Sequence, residues 1–124
     1  EKTLPPVEIS VTKGIYDTNA RLDPERIQHF CPVRPESLAA LGADPAAARE
    51  ALERSALEVY TAYGCRDLAR IDFIWDGHHV MVMGLKTFPG LTETSLVPMA
   101  IEAAGYAVED VLAQLVEGAL KRGN

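Results

Sequence analysis

Residues 68–75 and 79–86 are two runs rich in Ile, Phe, Val and Met, and between them stands Asp76-Gly77. That dipeptide between apolar runs is the strongest short-range signal for an antiparallel hairpin closed by a tight primed turn. Because both runs are so apolar, both faces of the hairpin are expected to be covered. Residues 7–11 alternate around β-branched side chains after Pro5-Pro6 and read as a further strand. Residues 12–34 carry Gly14, Asp17, Asn19, Asp23, Pro24 and Pro32 with no sustained period, which predicts a long loop or an extended crossing segment, and loops of that length tend to be functional or mobile.

Helical patterns account for most of the remainder. Asp44 before Pro45 gives an N-cap and a proline at the first helical position, and Leu52, Ala56, Val59, Tyr60 and Tyr63 recur at helical spacing until Gly64. Residues 87–94 hold Pro89-Gly90 and must form a loop, and a short helix follows from Thr94 or Ser95 to Gly105. Val108, Val111, Leu112, Leu115, Val116 and Ala119 then form an i, i+3, i+4, i+7 stripe, so the last helix is amphipathic up to Lys121-Arg122. The fold class is α+β: an antiparallel sheet with helices packed on it, within one domain over residues 1–124.

Composition narrows the function classes. With 124 residues and 48% hydrophobic content the chain can build one domain with a real core. A net charge of −6 leaves no basic stripe for a phosphate backbone or an anionic membrane. No apolar run approaches the roughly 20 residues that span a bilayer, and no signal-peptide pattern opens the chain, so a cytoplasmic location is expected. Cys31 and Cys65 match no metal or redox spacing and are expected to be reduced structural thiols. His78 and His79 are neighbours that a strand points to opposite faces, and with His29 they offer no metal cluster. The first residue is Glu1 rather than Met, which suits an excised domain, a processed product or a trimmed chain.

Residues 69–100 read A-R-I-D-F-I-W-D-G-H-H-V-M-V-M-G-L-K-T-F-P-G-L-T-E-T-S-L-V-P-M-A. This stretch resembles the catalytic tail of the D-alanine:D-alanine ligases, members of the ATP-grasp carboxylate-amine ligases. The resemblance extends to L-P-P-V-E-I-S-V at the start, to G-I-Y-D-T-N-A-R-L, which is similar to the family's mobile loop, and to F-C-P-V. It implies a carboxy-terminal ATP-grasp subdomain alone. An amino-terminal domain and a central subdomain, which in the family supply the ATP lysines, the adenine hinge and the first amino-acid site, have no counterpart here.

The resemblance also assigns roles. Arg70 and Asp72 match an Arg-x-Asp whose arginine stabilises the phosphoryl group and the tetrahedral oxyanion and whose aspartate is a magnesium ligand. Their i, i+2 spacing puts both on one strand face, where their own chemistry fits a structural ion pair as well as a polar site. The two remaining metal-ligand places, Glu and Asn in the family, hold Gly84 and Lys86. Glycine brings no side-chain oxygen and lysine brings a competing positive charge, so two-metal activation is not expected and Asp72 is the one ligand kept. Lys86 is expected to fill the vacated metal volume and pair with Asp72, or to extend into solvent at the strand end, or to act as an amine in proton transfer or nucleophilic attack. Thr87, Pro89, Gly90, Leu91, Thr92 and Ser95 keep the family's loop and helix start, where Ser95 and the residue after it, Leu96, correspond to residues that hold the second substrate's carboxylate. Ser95 as a plain N-cap is compatible with that role. In the mobile loop Tyr16 and Asp17 are kept and Arg21 can contact an anion, whereas Leu22 cannot donate a hydrogen bond.

Three functions follow: a domain that has lost ATP- and magnesium-dependent ligation and now binds or transforms an amino-acid or peptide-like small molecule; the C-terminal half of a ligase, active only with its ATP-binding half; or a non-catalytic oligomerisation or regulatory module. No cofactor is expected, with ATP and Mg entering only if the missing half is supplied. The expected partners are a small amino-acid or peptide-like ligand and either further copies of the chain or a protein covering the old interdomain face.

Overall fold

The structure is a computed structural model that describes residues 3–12, 14, 23, 25–92 and 95–123. Its described elements are β1 (Glu8–Val11), β2 (Ile27–Phe30), α1 (Pro35–Ala40), α2 (Pro45–Ala62), β3 (Arg70–Trp75), β4 (Val80–Lys86), α3 (Leu96–Ala103) and α4 (Val108–Gly123). The strands form two antiparallel pairs, β1 with β2 and β3 with β4.

Part of the segment read as a long loop is therefore strand. Ile27–Phe30 pairs with Glu8–Val11 in the register Glu8↔Phe30 to Val11↔Ile27. Four residues between turn-formers are too short for a period to show, and the pairing with β1, not local preference, makes the strand. The short helix α1 opens with Pro35 at its first position. Glu8 fastens β1 to this helix by accepting from the Arg34 Nη2 at 2.9 Å and the Ser37 hydroxyl at 2.8 Å.

α2 follows its sequence signals. The Asp44 carboxylate accepts from the Ala47 amide at 3.1 Å, a side-chain cap at the N-terminus, and Pro45 occupies the first turn. Only Ala48 of this helix is buried, and Tyr63, expected on the apolar stripe, lies beyond the last turn with three-quarters of its surface exposed.

The β3–β4 hairpin forms where expected, but its turn is not the tight primed one. Trp75 pairs with Val80, leaving four residues in the connection. The Asp76 carboxylate accepts from the amides of His79 at 2.8 Å and His78 at 2.9 Å, and these bonds hold its carboxyl below the ordinary aspartate range. An aspartate that satisfies two amides with its own side chain stabilises a wider loop than the primed turn needs. Gly77 sits at φ 99°, and a Cβ there would strike the Leu41 carbonyl, so the hairpin tip rests against the end of α1.

The buried apolar side chains among the described residues are Ile27, Leu38, Ala48, Pro89, Val97, Pro98, Ala100 and Ile101, with Ile101 fully enclosed. The amphipathic stripe of α4 buries no residue. That helix is tied instead by the Arg122 guanidinium, which donates to Asp67 at 2.8 Å. The accessible surface is 8440 Å² for a 13.5 kDa chain. A monomeric globular protein of that mass exposes about 6,500 Å², so the core is thinner than the composition promised.

Both faces of the hairpin are short of cover, since Val82 on one face is 48% exposed and Met83 at the irregularity in β4 is 62% exposed. Ile74 is 52% exposed and its cross-strand partner Met81 is 44% exposed, against the expectation that both faces would be covered. Alternation along β3 places Ile74 on the same face as Arg70 and Asp72. The face that carries the candidate site is thus open at Ile74 and Met81, and the opposite face is open at Val82.

Candidate functional site

Arg70 opens β3 and lies directly across from Lys86, the last residue of β4; Asp72 lies across from Gly84. Cross-strand partners share a face, so the register gathers all four positions at the open end of the hairpin. A bulge follows immediately, because Phe73 pairs with Val82 and leaves Met83 unmatched. Such a bulge adds local twist and ends regular pairing beside a site.

Within this group Arg70 and Asp72 bind one another in a fork. The Arg70 Nε donates to Asp72 Oδ1 at 2.9 Å and its Nη2 to Oδ2 at 3.2 Å. Both side chains stay in contact with solvent, at 23% and 40% exposure. A Cβ at Gly84 would come no closer than 3.9 Å to any neighbour, and that neighbour is Asp72 Oδ2, so bare backbone faces the carboxylate across an open space. Lys86 is exposed and forms no ion pair with the described residues. The expected Lys86–Asp72 pairing is absent: the guanidinium two residues away on the same strand supplies the planar fork that fits a carboxylate, and a single ammonium does not compete with it.

These donors do not suit a divalent cation. Magnesium requires oxygen ligands in near-octahedral array, usually anchored by carboxylates. Here one carboxylate is present and both of its oxygens are engaged by Arg70; Gly84 contributes no side chain, and Lys86 contributes positive charge. No group of three or more His, Cys, Asp or Glu side chains able to hold a metal occurs among the described residues.

The loop after β4 turns sharply into α3. Pro89 is buried, and a Cβ on Gly90 would lie 2.9 Å from the Ser95 Oγ, so the chain can pass this point only as glycine unless the serine moves. Ser95 occupies the N-cap position with extended backbone (φ −80°, ψ 156°), yet its side chain does not cap the helix. Its hydroxyl turns back to the loop, 2.7 Å from Thr92 Oγ1 and accepting from the Thr92 amide at 3.2 Å. The plain N-cap role is thereby corrected: Thr92 captures the hydroxyl first, a local Ser/Thr bond of the kind that competes with capping. Ser95 therefore offers no acceptor to the amides of Leu96 and Val97 in the first turn of α3, and Pro98 in that turn has no amide to satisfy. Val97, Pro98, Ala100 and Ile101 bury its inner face and fix the direction in which that turn points.

Sequence reasoning placed Thr92 in the retained loop but gave it no part in the site, although a Thr and a Ser three apart around a helix start is a legible signal. Leu96 begins α3 as expected. Tyr16 and Arg21, the loop residues expected to contact substrate, lie outside the described residues, as do Asp17 and Leu22.

A family model described as the D-ala D-ala ligase C-terminus matches residues 1–117. Among characterised relatives, the D-alanine–D-alanine ligase of Desulforudis audaxviator (strain MP104C) is 35% identical over 121 residues, covering 98% of this chain and 37% of the relative. That of Moorella thermoacetica is 37% identical over 121 residues, covering 97% and 36%. The crystal structure of the D-alanine–D-alanine ligase from Bacillus anthracis superposes with a TM-score of 0.68 at 28% identity, over 95% of this chain and 36% of that one. The same enzyme complexed with ATP gives a TM-score of 0.67. The chain therefore spans just over a third of the length of the proteins it matches.

Proposed function

Because this chain belongs to the family of D-alanine–D-alanine ligase C-terminal domains, an ATP-grasp lineage, we propose that it keeps the lineage's carboxylate-binding loop while the metal-dependent phosphoryl chemistry has been given up. The ligand is an amino acid or a short peptide-like molecule. One observation carries this reading: the carboxylate that relatives commit to magnesium is closed onto Arg70, and the positions opposite it are Gly84 and Lys86. A second carboxylate, needed to offset a divalent charge in a site this exposed, is absent from the group.

The amino-acid end is better preserved. Gly90 lets the loop fold against Ser95, Thr92 fixes the serine hydroxyl, and the start of α3, with the Leu96 amide, is the positive end of the helix dipole. A carboxylate placed there accepts from Leu96 and gains the dipole's field. Arg70 supplies the second positive group within the site.

Isothermal titration with ATP and magnesium checks the loss of phosphoryl chemistry; no saturable heat is expected, and a clear binding isotherm overturns the reading. Titrating D-alanine into isotopically labelled protein tests the retained end. Shifts confined to residues 90–97 and abolished by Gly90→Val are expected.

A second reading is supported by the apolar side chains left exposed on the hairpin and on α4, among them Ile74, Met83, Val116 and Leu120. Over the whole chain, roughly 1,900 Å² of surface lies beyond the globular expectation, more than the ~800 Å² per partner of a standard interface. In that reading the domain is one part of a ligase completed by other polypeptide, or it pairs with further copies of itself. Light scattering separates these outcomes: a stable dimer supports the self-pairing version, and a monodisperse monomer leaves only a different polypeptide as cover.

A further inference from the structure

The chain entering β3 is pinned from two sides at Asp67. Its carboxylate takes both terminal nitrogens of Arg122, Nη1 at 2.8 Å and also Nη2, from the last turn of α4, 55 residues along the chain. Its carbonyl accepts from the Tyr60 hydroxyl of α2 at 3.1 Å. Between those contacts the Asp67 backbone sits at φ 58°, a left-handed conformation that most side chains resist and aspartate tolerates better than most. The fork lies close over the helix: a Cβ on Gly118 would come 3.6 Å from Arg122 Nη1 and 3.7 Å from Asp67 Oδ1. Elsewhere α4 is loosely seated. Val108, Val111, Leu112 and Leu115 are half-buried, none of its residues is fully covered, and Val116 and Leu120 are exposed.

We infer that the Asp67–Arg122 fork is an ionic latch, which fastens the C-terminal helix to the turn before β3 and whose release frees α4 and loosens residues 65–69 together. This goes beyond the proposed function and does not depend on it. A helix that buries no residue completely opens at low cost, so a two-pronged ion pair makes up a larger share of its hold than it would in a sealed core. The latch is within reach of the solvent: the Arg122 and Asp67 side chains are 39% and 33% exposed, so dissolved ions screen it. A detached helix of 16 residues is marginal in water, so release shows as exposure of its backbone amides. Asp67 stands three positions before Arg70, the first residue of β3, which makes α4 and the base of the strand that carries the candidate site one coupled unit.

Amide hydrogen exchange of the full chain, read by mass spectrometry, tests the latch. Arg122→Gln removes the cation, and Asp67→Asn removes the negative charge while keeping a residue that accepts the left-handed backbone. Each variant should speed exchange in residues 108–123 and 65–69 about threefold to fivefold, the upper range for an exposed ion pair, and leave residues 45–62 as they were. Raising the salt to about 1 M, where screening acts over about 3 Å, should bring the wild type close to Arg122→Gln. Lys121→Met removes the neighbouring charge, which is paired within α4 to Glu117 at 3.9 Å, and should change exchange by less than about twofold. Unchanged exchange in either segment overturns the latch. Acceleration spread equally over α2 and the β3–β4 hairpin also overturns it, because the pair would then support the whole fold, and so does a difference from Arg122→Gln that persists undiminished in high salt.

Discussion

Two arginine–carboxylate pairs in this chain have the same chemistry and opposite settings. Glu8 and Arg34 lie 26 residues apart and join β1 to the start of α1. Arg70 and Asp72 lie two apart on one strand and join nothing that the strand does not already join. Glu8 is 15% exposed and accepts four donors: the Arg34 amide, its Nε and Nη2, and the Ser37 hydroxyl. The Arg34 guanidinium also stacks 3.6 Å above the Phe30 ring. Asp72 has only its fork with Arg70 among the described residues, and 40% of its side chain meets solvent. A carboxylate with every lone pair matched is a fastening, whereas one that leaves its partner's donors spare is part of a surface that can accept something else.

Removing each carboxylate in turn gives the largest test of that contrast. Glu8→Ala leaves three groups of Arg34 and the Ser37 hydroxyl without their acceptor, and part of that cluster is shielded from water. A loss of about 2 kcal/mol in unfolding free energy is expected, read from the midpoint of a urea transition at unchanged slope. Asp72→Ala should cost less than about 0.5 kcal/mol, since an exposed pair within one strand contributes little. Equal losses would mean that the hairpin pair is also structural and would remove the ground for treating it as a site.

How much of this contrast the sequence disclosed depends on the range over which each feature is built. The hairpin, α2, α3 and α4 rest on local patterns such as Asp44-Pro45 and the 108–119 stripe, and all four stand in the structure. The site positions Arg70, Asp72, Gly84 and Lys86 were legible as a group because strand alternation and one hairpin register suffice to bring them together. Glu8, Arg34 and Ser37 were not, because nothing local ties residue 8 to residues 34 and 37. Strand β2 was hidden for the same reason. Asp76 misled: an Asp-Gly pair suggests a primed turn, and its side chain instead accepted two amides and widened the loop. Burial was the other gap. The stripe on α4 and the apolar residues of the hairpin announce faces that seek cover, but a sequence pattern does not say whether the cover lies in the same polypeptide.

Acid sharpens the contrast at the fastened pair. Hydrogen bonds from the Arg34 guanidinium, then from Ser37 and the Arg34 amide, hold the Glu8 carboxyl below the ordinary glutamate range despite its partial burial. A carboxyl lowered in the folded state binds fewer protons there than in the unfolded chain, so stability rises with pH between the two values. The contribution is complete above the ordinary glutamate value of about 4.3 and is lost as pH falls through the lower folded value. The stability difference between the wild-type chain and Glu8→Gln should therefore be constant near neutrality and shrink steadily as pH falls below the ordinary glutamate value. A difference that stays fixed through that window would show that Glu8 acts by shape rather than by charge.

The smallest expected effect lies at the other pair. Asp72→Asn keeps the size of the side chain and one acceptor oxygen, so Arg70 retains a hydrogen bond while losing its counter-charge. Arg70 is itself in contact with solvent and rehydrates without leaving a buried charge behind. Stability should change by less than about 0.5 kcal/mol. With Asp72 neutral, Arg70 and Lys86 are cross-strand partners with no carboxylate charge beside them. A loss above about 1 kcal/mol in the urea transition would mean that the fork is needed to hold Arg70 in place. That outcome would give the hairpin pair a positioning duty and bring it closer in kind to the Glu8–Arg34 fastening.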